Sequence, residues 1–155
     1  MLHSARYPRK PRGISRSVLG DGYEWRLSFC CARDGCRRRC TPPSVRFFNR
    51  RVYLGALVVL ISALTHGLTA RRREKIREHF GLSERTLGRW RRWWRECFPA
   101  TRWWRATQAR FIPPLDRGTL PASLLERFPG PDPENRLLAV LRFLTPLSTA
   151  CERIR

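Results

Sequence analysis

The stretch RREKIREHFGLSERTLGRWRRW, residues 72–93, decides the fold because it contains two helical patterns separated by a short turn. Gly81 stands between the two patterns, and glycine adopts the positive φ that a sharp turn requires. Ser83 is a natural N-cap for the second pattern. Leu87 and Trp90 lie three residues apart on it, the spacing of an apolar helix face. The stretch therefore predicts two short helices that meet at a glycine turn.

The apolar positions around this turn resemble the helix-turn-helix of bacterial DNA-binding proteins. Ile76 and Phe80 lie four residues apart on the first helix, and Leu82 fills the corner between the helices. Arg77 departs from the pattern, because that family usually has a small residue there. The resemblance implies that the second helix enters the major groove of duplex DNA with its N-terminal part against the base edges.

The outward face of the second helix supplies the candidate DNA contacts. The core face is expected to comprise Leu87, Trp90, Trp94 and Cys97. Arginine can bind guanine in bidentate fashion, and a carboxylate can accept from the amino group of cytosine. The expected base-facing residues are Glu84, Arg85, Gly88, Arg89 and Arg92. The expected phosphate contacts are Ser83, Thr86, Arg91, Arg95, Arg71, Arg72 and Arg73. The alternative is an amphipathic helical hairpin whose arginines are only solvated.

The net charge of +20 on 155 residues favours a polyanionic partner. Residues 1–50 carry 12 basic and 3 acidic side chains, residues 51–110 carry 14 and 4, and residues 111–155 carry 6 and 5. This uneven distribution indicates an anion-binding body followed by a nearly neutral segment. Nucleic acid is the first candidate partner and an anionic membrane surface is the second.

Apolar spacing and boundary residues predict six helices and a strand along the chain. Residues 52–64 are apolar but too short for a membrane span, which needs ~20 residues, so they predict a buried first helix of a trihelical unit. Helices are predicted at 51–66, 70–80, 83–98, 101–111, 121–128 and 133–144. Residues 23–29 alternate as a strand does, and residues 1–22 look irregular. Trp93, Trp103 and Trp104 are either base-stacking platforms or core residues, and we favour the core.

Four cysteines lie close together around a predicted hairpin turn at Asp34-Gly35. Without a secretory signal, we expect a cytoplasmic protein in which clustered thiols are more often metal ligands than disulfides. Cys31 and Cys36 are the natural zinc-ligand pair, with Cys30 and Cys40 as substitutes. The alternatives are small buried thiols or a disulfide such as Cys31–Cys36.

The order of these segments resembles small bacterial proteins associated with transposable elements. The resemblance rests on LHSARYPRKPRG, then WRLSFCCARDGCRRRCTPPSVRFFNRRVYLGALVVL, then the two-helix stretch. Those proteins join a zinc ribbon of the transposase kind to a trihelical DNA-binding unit. The resemblance implies a second pair of cysteines upstream, and this chain has none before Cys30, so we expect an incomplete ribbon. Zinc is accordingly a candidate cofactor with one ligand pair missing.

These features predict a mainly α protein: a trihelical helix-turn-helix unit preceded by a small β-hairpin and followed by short helices. The predicted domains are a partial zinc-ribbon-like region at 1–46, the DNA-binding unit at 47–99 and a helical extension at 100–155. The few acidic residues after the DNA-binding unit do not form the two-metal site of a nuclease, so we expect no catalysis. The leucines of the extension suit either packing on the body or a surface for a protein partner or a second copy.

Two functions follow from the sequence. The first is a double-stranded DNA-binding accessory or regulator related to transposases, which is cytoplasmic and associated with the nucleoid. The second is a basic module that binds RNA or an anionic surface and uses the helical hairpin as a scaffold.

Overall fold

A computed structural model describes residues 2–8, 22–36, 38–47 and 54–153 of the chain. Helices predominate within these ranges, which confirms the predicted mainly α class. The chain divides into two compact units. The sheet unit comprises residues 1–55 and 141–155, and the helical unit comprises residues 56–140.

The strands of the sheet unit form one antiparallel sheet in the order β1-β2-β3-β4. They are β1 (Leu2–Pro8), β2 (Trp25–Cys31), β3 (Arg38–Thr41) and β4 (Ala150–Arg153). Strand β1 corrects the expectation that residues 1–22 are irregular, although residues 9–21 lie outside the described part of the chain. Sequence reasoning missed β1 and β4 because their pairing partners lie far away along the chain, where local patterns carry no signal.

The predicted β-hairpin around Asp34-Gly35 is confirmed by the pairing of β2 with β3. Gly35 adopts a φ of 73°, and the amide of Cys36 donates to the carbonyl oxygen of Arg33 at 3.0 Å. A residue with a side chain rarely adopts this backbone conformation, so the turn depends on glycine.

Two serines and an arginine hold distant segments of the sheet unit together. The buried Arg26 donates from Nη2 to the carbonyl oxygen of Ser148 at 2.6 Å. The hydroxyl of Ser148 accepts from the amide of Ser44 at 2.6 Å and donates to the carbonyl oxygen of Thr145 at 2.7 Å. Because its guanidinium donates to a carbonyl oxygen, part of the cost of burying the arginine is offset.

The described helices agree with the predicted ones to within a few residues, although the predicted start at residues 51–53 lies outside the described part. The α-helices are α1 (Gly55–Leu64), α2 (Ala70–His79), α3 (Glu84–Arg92), α4 (Phe98–Ala100), α5 (Arg102–Thr107), α6 (Ala122–Arg127) and α7 (Pro133–Phe143). A π turn spans Trp93–Cys97, and 3₁₀ turns span Gln108–Arg110 and Thr145–Ser148. In the described ranges no helix has the length and apolar character needed to cross a membrane.

The π turn continues the helical run from α3 through Pro99, whereas the sequence predicted that the helix ends at Phe98. The amide of Phe98 donates to the carbonyl oxygen of Trp93, five residues earlier. This wider turn brings Phe98 into the interior and leaves Cys97 exposed. The prediction that Cys97 lies on the core face is therefore wrong, because it assumed uninterrupted α-helical spacing.

A series of aromatic contacts runs through the helical unit, and we call it the aromatic column. The ring centroids lie 4.7 Å apart for Trp93–Trp94, 5.2 Å for Trp94–Phe98, 4.7 Å for Phe98–Trp104, 5.8 Å for Trp104–Phe111 and 6.1 Å for Phe111–Phe128. Trp94, Phe98 and Trp104 are fully or almost fully buried. Of the three tryptophans interpreted as core residues, Trp104 is buried, whereas Trp93 and Trp103 are half-buried.

The apolar residues of the predicted C-terminal extension are used in the protein's own interior. Leu120, Leu124, Val140, Leu141 and Leu144 are all buried. This arrangement supports packing on the body for these five side chains, and a surface for a partner would have to use other residues.

We predict that replacing Phe98 by alanine strongly destabilises the helical unit. Removal of a fully buried phenylalanine should lower the free energy of unfolding by about 3–5 kcal/mol, because three ring contacts are lost and a cavity remains. The matched control is Ile112→Ala, since Ile112 is 84% exposed and its truncation should change stability by less than about 0.5 kcal/mol. Urea unfolding followed by circular dichroism measures both values, and equal losses would contradict the prediction.

Candidate nucleic-acid interface

The turn between α2 and α3 has the hydrogen bonds of a Schellman motif. The amide of Leu82 donates to the carbonyl oxygen of Arg77 at 2.8 Å, and the amide of Gly81 donates to that of Glu78 at 3.2 Å. Gly81 adopts a φ of 59°, and the side chain of Leu82 is buried. Both roles agree with the sequence analysis, which placed the glycine at the turn and the leucine in the corner.

The start of α3 is fixed by Ser83, as predicted. Its hydroxyl oxygen accepts from the amide of Thr86 at 3.2 Å, which satisfies one of the free amides of the first turn. Thr86 itself is only 4% exposed, and its hydroxyl lies 2.9 Å from that of Ser83. Thr86 therefore stabilises the start of the helix from its buried side. The expectation that Thr86 contacts phosphate does not agree with this position, because a phosphate contact requires a solvent-facing side chain.

One face of α3 is buried and the opposite face is exposed. Leu87, Trp90 and the following Trp94 are buried, as the sequence predicted. The five expected base-facing residues, namely Glu84, Arg85, Gly88, Arg89 and Arg92, are all exposed. The structure therefore brings together on one helix the residues that the sequence grouped by spacing. Ile76 and Phe80 on the α2 side are only half-buried.

Arg77 connects α2 to the start of α3 through two carboxylates. Its guanidinium donates to Glu84 Oε2 at 3.1 Å and to Glu74 Oε1 at 2.8 Å. The large residue at this position is thus accommodated by ion pairs, whereas the resemblance implied a small one. Glu84, expected to face bases, is engaged by Arg77 but remains largely exposed. The i,i+3 spacing of Glu74 and Arg77 is visible in the sequence, but the pair across the turn is not.

The remaining base-facing arginines differ in their partners. Arg92 Nε donates to Glu96 Oε2 at 2.8 Å, and this hydrogen bond and the charge of Glu96 raise the pKa of Arg92. Arg89 Nη2 donates to the hydroxyl of Thr86 at 3.2 Å. Arg85 makes no hydrogen bond or ion pair with any residue in the described ranges. Its guanidinium can therefore bind a ligand without first breaking a hydrogen bond or an ion pair.

The arginines expected to hold phosphates occupy two regions of the helical unit. Arg71 and Arg72 are exposed on the first turn of α2, while Arg73 is half-buried and donates to the carbonyl oxygen of Leu68 at 3.0 Å. Arg91 is half-buried at the end of α3, and Arg95 is exposed in the π turn. Both of the latter line a cavity that sequence reasoning did not find.

The hairpin formed by β2 and β3 carries three free cysteine thiols. Cys30, Cys31 and Cys36 are free and half-exposed. Hydrogen bonds from the Arg33 amide and from the Cys36 thiol lower the pKa of Cys31. Cys40 is disulfide-bonded, so the prediction of Cys40 as a substitute metal ligand is wrong, since a disulfide sulfur has no thiolate to offer. This disulfide is also unexpected for a reducing compartment.

The described residues do not fit a zinc site. Tetrahedral zinc needs four ligands, and within the described ranges no group of three or more cysteine, histidine or acidic side chains converges. His3 lies opposite Cys30 in the β1–β2 register without adding to such a group. His79 is exposed on α2 and packs edge-on against Phe80, with ring centroids 4.9 Å apart.

Three comparisons, with protein-family models, with curated proteins and with solved structures, found no match to this chain. The exposed face of α3 carries three arginines in a defined geometry and is the candidate site.

The Schellman turn predicts opposite effects for two glycine-to-alanine changes. Gly81→Ala should destabilise the protein by about 1–2 kcal/mol, because alanine is strained at positive φ. Gly88→Ala should stabilise it by roughly 0.5–1 kcal/mol, because Gly88 lies within α3 and an added Cβ meets no atom within 4 Å. Thermal unfolding of the two variants measures these shifts, and a shift of both in the same direction would count against the turn geometry.

We also predict a change in the reactivity of Cys31 when Cys36 is replaced. The lowered pKa means that Cys31 becomes a thiolate, and reacts with iodoacetamide, at lower pH than an ordinary thiol. Cys36→Ala removes one of the two hydrogen bonds, so the midpoint of the pH–alkylation curve for Cys31 should move upward. Cys97→Ala is the control and should leave the midpoint unchanged. Mass spectrometry of the Cys31 peptide provides the measurement, and an unmoved midpoint in Cys36→Ala refutes the assignment.

Proposed function

We propose that this protein binds double-stranded DNA and reads its sequence with α3, as a transposase-related accessory or regulator without a catalytic domain. The observation that carries the proposal is the position of Arg85 and Arg89 on the exposed face of a capped helix whose opposite face is buried. A helix anchored in this way presents fixed side chains to a groove.

The start of α3 has the features that a recognition helix needs. Arg85 lies in the first turn, the part of such a helix that faces base edges. Gly88 lies one turn further along and has open space in place of a side chain. A glycine on the exposed face allows the helix backbone to come close to a groove wall. Arg89 follows on the same exposed face and completes the candidate reading surface.

Ion pairs distinguish the expected base-facing residues from one another, and in this proposal Arg85 and Arg89 are the main base-reading residues. Arg92 is held by Glu96, and Glu84 is held by Arg77, so each would have to break an ion pair before it contacts a base. Exposed ion pairs contribute only about 0–1 kcal/mol, so this exchange lowers the contribution of these two residues without forbidding it. Two exposed arginines on one helix face favour guanines in the target, since arginine binds guanine through two hydrogen bonds.

Phosphate attraction supplies the rest of the proposed affinity. Residues 51–110 carry 14 basic and 4 acidic side chains, and Arg71 and Arg72 add exposed charge on the first turn of α2. Cations that neutralise phosphates release counterions, so binding weakens as salt rises. In this proposal the protein acts on DNA in the cytoplasm as part of the nucleoid, and its function needs neither zinc nor catalysis.

Selection of duplexes from a random pool, followed by binding measurements on the selected duplex, tests the proposal. Arg85→Ala and Arg89→Ala should each weaken binding to the selected duplex by about 1–3 kcal/mol and should relax the preference at one base pair. Arg110→Ala is the matched control, because it also removes one exposed arginine but lies outside α3. Its effect should be small and equal for all duplexes.

Two outcomes would overturn the proposal. In the first, Arg85→Ala, Arg89→Ala and Arg110→Ala weaken binding equally on every duplex, which indicates charge attraction without sequence reading. In the second, single-stranded RNA or anionic vesicles bind as tightly as the selected duplex at the same salt concentration, which favours the basic-module alternative.

A further inference from the structure

A cavity of about 320 Å³ lies within the helical unit. Its walls come from three separate parts of the chain: the end of α1 with the turn that follows it, the end of α3 with the π turn, and the loop before α6. The residues that line the cavity include Ser62, His66, Arg91, Trp94, Arg95 and Leu120. The volume is at the lower end of the range found for small-molecule sites.

The charged groups of the cavity are cationic. Arg91 and Arg95 lie one helical turn apart, and neither makes a hydrogen bond or ion pair with a residue in the described ranges. Among the residues that the structure describes, no aspartate or glutamate lines the cavity. The carboxylate of Asp116, in the adjacent loop, accepts from the amide of Gly118 at 2.8 Å. The cavity therefore offers two guanidinium groups without an acidic partner in its lining.

Two buried donors at the cavity lack partners within the described part of the chain. The Ser62 side chain is 5% exposed and the Trp94 side chain is 0% exposed, and neither Ser62 Oγ nor Trp94 Nε1 makes a hydrogen bond there. Both atoms are buried behind the surface of the cavity, so neither contacts a molecule bound in it.

His66 connects two of the segments that line the cavity. Its Nε2 lies 3.0 Å from the carbonyl oxygen of Gly118, and because a carbonyl accepts, Nε2 carries the proton. This hydrogen bond joins the turn after α1 to the loop before α6. The cavity is thus held open between connected segments, and Trp94 and Leu120 give it an apolar surface beside its donors.

We infer that this cavity binds the phosphate group of a small phosphate monoester, with Arg91 and Arg95 on the phosphate and Trp94 and Leu120 against the organic part. Two arginines match a dianionic, tetrahedral group because each can form paired charge-assisted hydrogen bonds. The cavity has room for an organic body besides the phosphate. The inference does not use the proposed base-reading residues, since Arg85 and Arg89 do not line the cavity.

Isothermal titration of the full chain with phenyl phosphate tests the inference, with phenol and inorganic phosphate as matched probes. Phenyl phosphate should bind at one site, phenol should not bind, and inorganic phosphate should bind more weakly because it leaves the apolar wall unused. Arg91→Gln and Arg95→Gln should each weaken phenyl phosphate binding at least about tenfold, as expected for a lost charge-assisted hydrogen bond. Arg110→Gln is the control and should have no effect.

Ser62→Ala provides a second control that should fold normally, because alanine favours a helix. It should leave phenyl phosphate binding unchanged, because Ser62 Oγ is buried behind the cavity surface. Lack of saturation at millimolar phenyl phosphate in the folded wild-type protein overturns the inference. It is equally overturned if Arg91→Gln and Arg95→Gln lower affinity for duplex DNA but leave phenyl phosphate binding intact, because the arginines then serve the DNA backbone.

Discussion

Burial of one face of the helical run from α3 to α4 is the constraint on which the rest of the helical unit depends. Leu87, Trp90, Trp94 and Phe98 are all buried along this run, and the π turn is what keeps the last of them in the interior. With this face fixed against the core, the opposite face of α3 is held toward solvent. The exposed arginines and the cavity beneath Arg91 are both consequences of the same apolar packing.

The parts of the fold that could be predicted from the sequence are those encoded by neighbouring residues. The glycine turn at Gly81, the cap at Ser83 and the apolar spacing of α3 depend on local chemistry, and each is present in the structure. Cys97 was wrongly expected on the core face because a π turn changes the helical period. The residues of the π turn have no sequence pattern that predicts it. Thr86 was misplaced because a hydroxyl at a helix start serves a cap or a ligand equally well in the sequence.

Features that depend on distant residues escaped the sequence. Strands β1 and β4 exist through their pairing partners, and the state of Cys40 depends on contacts that spacing does not reveal. The cavity combines Ser62, Arg91 and Leu120 from separate segments, so no single motif contains it. The candidate base-reading residues could be predicted from the sequence because they lie on one helix. Which of them are held in ion pairs could be seen only in the structure, where Arg77 binds Glu84 and Arg92 binds Glu96.

The position of β4 at the edge of the sheet affects the order in which the chain can fold during synthesis. Strand β3 finds its second neighbour only after residues 150–153 have left the ribosome, whereas residues 56–140 contain their own buried core. Domains generally fold as units in the order in which they are made. The helical unit therefore has its buried side chains before β4 is made, while one edge of β3 keeps open hydrogen-bonding groups until β4 pairs with it.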